Sequence, residues 1–141
     1  MASVPRSFNL ETAAQDFAGE GREIQCPWLR PEEWAAGMDR GPYSRRQMLL
    51  SVNGWTLSAV WGFGTYCTAG RSQGITTDDF PQESPDAEIA VWKGDGPMIE
   101  LHGDTVEGWV SPASFVAAIE AAERDDEDGI RAALVRTEEE A

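Results

Sequence analysis

Between positions 47 and 62, apolar and polar residues alternate on both sides of Asn53-Gly54. Met48, Leu50 and Val52 share one face of an extended segment. Trp55, Leu57, Ala59 and Trp61 share one face of the next, with Thr56, Ser58 and Val60 on the other. Asn-Gly suits a type I′ turn, in which both central residues take positive φ. The pattern predicts a β-hairpin that seeds a sheet. The period of two returns at 87–92, where Ile89 and Val91 oppose Glu88, Ala90 and Trp92. Gly94-Asp95-Gly96 turns the chain, and 98–101 reads as a further strand, making 87–101 a second hairpin. A short edge strand is expected within 104–110.

Helical spacing appears at both ends of the chain. Leu10, Ala13, Ala14 and Phe17 fall on one face of a short helix that Asn9 would cap, and Gly19 and Gly21 would end it. Residues 31–37 open with Pro31 and two glutamates and close on Gly37, which predicts one or two helical turns after an ordered loop at 26–29. Ser111-Pro112 starts the clearest helix, 112–123, with Phe115, Val116, Ile119 and Ala122 on its buried side. Acids at 125–128 then interrupt the apolar pattern. They open a second helix carrying Ile130, Ala133 and Leu134. From 62 to 85 there is no sustained period, and glycines and prolines mark a connection longer than a compact domain normally carries without a role for it.

The elements add up to an α+β fold: an antiparallel sheet built from two β-hairpins, with the C-terminal helices packed on one face. A chain of 141 residues is the size of one domain. It divides into a helical and irregular segment at 1–45, a sheet region at 46–110 and C-terminal helices at 111–136.

Charge changes the picture. The net charge is −14. Residues 1–70 carry six arginines and seven acids, while 71–141 carry five cations and eighteen acids, so nearly the whole excess sits in the second half. Such a chain does not bind nucleic acid directly through a conventional phosphate-binding surface. A lopsided acidic field serves solubility, or it meets a basic partner. No apolar run approaches a membrane span, and no basic stretch followed by an apolar one marks a leader. Cys26 and Cys67 belong to no paired motif and read as reduced thiols of a cytoplasmic protein.

Candidate chemistry is sparse. His102, the single histidine, has Asp104 two positions on, and a carboxylate can orient an imidazole, but the spacing fits no hydrolase or zinc motif. Cys67 in its Gly-rich surroundings lacks a cysteine-hydrolase signature and reads as structural. Gly62-Phe63-Gly64 lacks both the third glycine of a dinucleotide loop and the Lys of a phosphate loop. The acids at 78–79 and 125–128 lack the alternation of a calcium loop. No cofactor, metal site or catalytic set is expected, and the chain does not read as an enzyme. Six tryptophans mostly serve a core; Trp34 and Trp109, near element ends, are the ones expected at the surface.

Val60-Trp61-Gly62-Phe63-Gly64-Thr65-Tyr66, then 87–92 as Ala-Glu-Ile-Ala-Val-Trp, then Gly108-Trp109-Val110-Ser111-Pro112 resembles a group of small uncharacterised accessory proteins of actinobacterial phages. The resemblance spans roughly residues 50–120. It implies a phage protein acting in the cytoplasm of a bacterial host, and it implies no catalytic residues. The expected function is interaction: binding a host protein with a basic surface and inhibiting or redirecting it, for instance a nucleic-acid-binding or defence protein by DNA mimicry. Asp78, Asp79, Glu83, Asp86, Asp125, Asp126, Glu127 and Asp128, with Trp34 and Trp109, are the expected partner-binding residues. The alternatives are a virion or self-assembling component, and a small enzyme using Cys67, His102 and Asp104.

Overall fold

A computed structural model describes residues 4–9, 11–25, 46–61, 67 and 83–135. The fold is α+β. Five antiparallel strands form the main sheet: β2 (Arg22–Gln25), β3 (Arg46–Val52), β4 (Trp55–Trp61), β6 (Ala87–Lys93) and β7 (Glu107–Val110), in that spatial order. β1 (Phe8–Asn9) and β5 (Glu83–Ser84) make a separate two-stranded pair. The helices are α1 (Ala13–Asp16), α2 (Pro112–Glu123) and α3 (Glu127–Ala133).

The hairpin at Asn53-Gly54 forms as predicted. Val52 pairs with Trp55, and Asn53 and Gly54 have φ of 50° and 84°. Its register, continued into β6, places Met48, Ala59 and Ile89 side by side, then Leu50, Leu57 and Val91. All six are fully buried. Ile24 of β2 lies opposite Leu50 at the margin of this layer. Phe115, Ala118, Ile119 and Ala122 of α2 and Ile130 of α3 join the same core. Phe8 lies at one end of it, with ring centroids 5.9 Å from Phe17, 5.8 Å from Trp61 and 5.4 Å from Phe115.

The opposite face carries Leu49, Ser58 and Ala90 in one row and Gln47, Val60 and Glu88 in the next. Ser58 is buried and accepts a hydrogen bond from Gln47 at 3.0 Å.

Several expectations are corrected. The second hairpin does not reach 101: after the turn, Met98 makes a single bridge to Trp92, and Ile99 donates to the Val91 carbonyl. The chain then turns away, because Leu101 N–H bonds to the Asp104 carbonyl. The edge strand expected within 104–110 is β7, with a register shift against β6 between Ala87 and Ile89. Trp109 takes φ of 53° there, a backbone region that bulky side chains rarely adopt. The first helix is a single turn, and Asn9 belongs to β1, its side chain accepting from Glu11 N–H at 2.9 Å. β2, β1 and β5 were not foreseen. The helix expected over 31–37, the loop at 26–29 and most of the 62–85 connection lie outside the described residues.

Candidate interaction surface

The acids at 125–128 arise where α2 passes into α3. α2 is capped at its start by Ser111, whose hydroxyl accepts from Ser114 N–H. It ends in a Schellman-type motif: Asp125 N–H bonds to the Ala122 carbonyl and Asp126 N–H to the Ala121 carbonyl, both at 2.9 Å. The left-handed position that usually holds glycine is Asp125, with φ of 54°. Its carboxylate accepts from the Trp55 indole at 2.8 Å and from Lys93 Nζ at 2.7 Å. Lys93 also lies 5.3 Å from the centroid of the Trp55 ring. The Lys93 hydrogen bond, and then that of Trp55, hold the Asp125 carboxyl below its ordinary value. Asn53 completes this corner by donating its side-chain amide to the Glu123 carbonyl at 3.0 Å, so the hairpin turn also caps the end of α2.

The remaining acids of the run are engaged as well. Asp126 caps α3, accepting from Gly129 N–H at 2.9 Å. A Cβ at position 129 would collide with that carboxylate, so glycine there permits the cap. Glu127 pairs with Arg131 one turn on, and Asp128 lies 3.5 Å from the same guanidinium. Arg22 bonds to Glu123 at 3.0 Å, and Arg124 lies 3.9 Å from Asp126. Four of the described cations thus converge on residues 123–128.

The other expected site residues are dispersed. Glu83 is exposed and accepts from the Ser7 hydroxyl at 2.6 Å. Asp86 is only 5% exposed, and its carbonyl accepts from buried Ser84, so it is corrected from surface contact to interior residue. Trp109 is half-buried rather than fully at the surface, between buried Gly108 and Val110. Asp78, Asp79 and Trp34 lie outside the described residues. Cys67 is buried in the core. His102 is exposed, its Nε2 donating to the Arg131 carbonyl at 2.7 Å, and Asp104 accepts from Thr105 N–H at 2.6 Å. Arg131 Nε donates to the Glu100 carbonyl at 2.6 Å. The histidine and Arg131 therefore tie the 99–105 loop to α3. Among the described residues, no group of three or more His, Cys, Asp or Glu is arranged to hold a metal ion. Among them too, no helix is long and apolar enough to cross a membrane.

A different set of carboxylates stands out. Asp95, Glu100, Asp104 and Glu107 lie on the connection from β6 to β7 and at the start of β7, and form no ion pair with any described residue. The nearby cation, Lys93, is held by Asp125. The same stretch of chain, 92–109, carries Met98, 46% exposed, its bridge partner Trp92, half-exposed, and half-buried Trp109. Methionine and tryptophan are enriched at the centres of protein interfaces, whereas Asp and Glu are depleted there and belong to the polar rim. These acids come singly rather than in a run, so the local pattern does not mark them. The available signal was that Lys93 is the only Lys or Arg between Arg71 and Arg124.

No family model, no curated protein and no solved structure matches this chain.

Proposed function

We propose that this chain is a binding protein that engages a second protein through a basic surface, using the β6–β7 edge. The observation that carries the reading is the set of carboxylates, Asp95, Glu100, Asp104 and Glu107, that pair with no described cation, on the same stretch of chain as Trp92, Met98 and Trp109. Opposed charge steers the encounter, and the aromatic and methionine side chains supply the apolar contact that holds it. In the setting implied by the resemblance to actinobacterial phage accessory proteins, the target is a host protein in the bacterial cytoplasm. A nucleic-acid-binding or defence protein fits, its cationic groove filled by carboxylates in place of phosphates and its activity blocked or redirected.

The test is affinity capture from bacterial lysate at two ionic strengths, about 0.1 M and about 1 M, where the screening length falls from roughly 10 Å to 3 Å. Wild type should retain a basic protein at the lower strength and release it at the higher. The quadruple variant Asp95→Asn, Glu100→Gln, Asp104→Asn, Glu107→Gln should retain it at neither, while Asp128→Asn behaves as wild type. If the quadruple variant, shown to be folded by circular dichroism, captures the same protein equally well, the edge is not the binding surface. If wild type retains nothing that salt releases, the function itself is wrong.

A further inference from the structure

We draw no further inference here: the strongest candidate, the sheet face opposite the helices at Leu49, Ser58, Val60 and Ala90, is largely uncharged and partly buried, and nothing in the structure shows what covers it.

Discussion

Phe8 offers the sharpest test of how the fold is held together. It sits in a two-residue strand, yet its side chain is fully buried and touches three aromatic rings. Fully burying a large aromatic ring removes at least about 150 Å² from water, which at about 25 cal/mol per Å² is near 4 kcal/mol. Truncation to alanine leaves a void among Phe17, Trp61 and Phe115, and Phe→Ala changes in cores cost roughly 3–5 kcal/mol. That is a large share of the roughly 5–15 kcal/mol that stabilises a domain. Phe8→Leu keeps most of the apolar volume and loses the ring–ring geometry, so it should cost less, about 1–2 kcal/mol. Urea unfolding followed by tryptophan fluorescence and far-ultraviolet circular dichroism gives both values, provided the m-value is unchanged. A double-mutant cycle with Phe115→Leu should show coupling of about 0.5–1.5 kcal/mol, because those rings meet edge to face at 5.4 Å. Val4→Ala, half exposed, is the control and should stay within about 0.5 kcal/mol of wild type. A cost below about 1 kcal/mol for Phe8→Ala would refute the packing that joins residues 4–17 to the sheet and α2.

The corner at Asp125 should be sensitive to acid. Its carboxyl is held below the ordinary aspartate value, so its contribution is complete above that value and is lost as pH falls through the lower, folded one. Asp125→Asn should lower the thermal midpoint at neutral pH and flatten its decline in acid; an unchanged acid slope would contradict the pairing with Lys93 and Trp55. Asn53→Gly keeps the positive φ but removes the cap on α2, for about 0.5–1.5 kcal/mol. Asn53→Ala adds about 1–2 kcal/mol of left-handed strain, and equal costs for the two variants in chemical denaturation would argue against that division. Asp126→Ala should remove about 1 kcal/mol by uncapping α3, read as loss of hydrogen-exchange protection at residues 127–133. The salt-dependent capture described above tests the function.

Two elements that carry their own turn and cap chemistry form where the chain announces them: Asn53-Gly54 with its flanking alternation, and Ser111-Pro112 before an apolar stripe. β2 was hidden because Arg22-Glu23-Ile24-Gln25 has one apolar residue; its strand state comes from pairing with β3. β1 and β5 are two residues each and exist through contact with each other, some seventy-five positions apart. The strand expected at 98–101 failed because Arg131 takes the Glu100 carbonyl and Asp104 takes the Leu101 N–H, neither visible in local periodicity. The acids tell a similar story. A run of four attracts notice, but capping and ion pairing employ all four, whereas isolated carboxylates at 95, 100, 104 and 107 pair with no described cation, because Lys93 is held by Asp125.

The ring contact between Phe8 and Phe115 also dictates an order of events during synthesis. The strands of the main sheet follow one another in space much as they follow in the chain, so each can zip onto its predecessor as it leaves the ribosome. Phe8 meets Phe17 early, their ring centroids 5.9 Å apart, but its other ring partners, Trp61 and Phe115, are made later. Phe115 is more than a hundred residues away, which at about 5–20 residues per second means several seconds or more before the Phe8 ring has its full set of contacts. A chain that stalls before α2 is made would leave that ring without Phe115 to cover it.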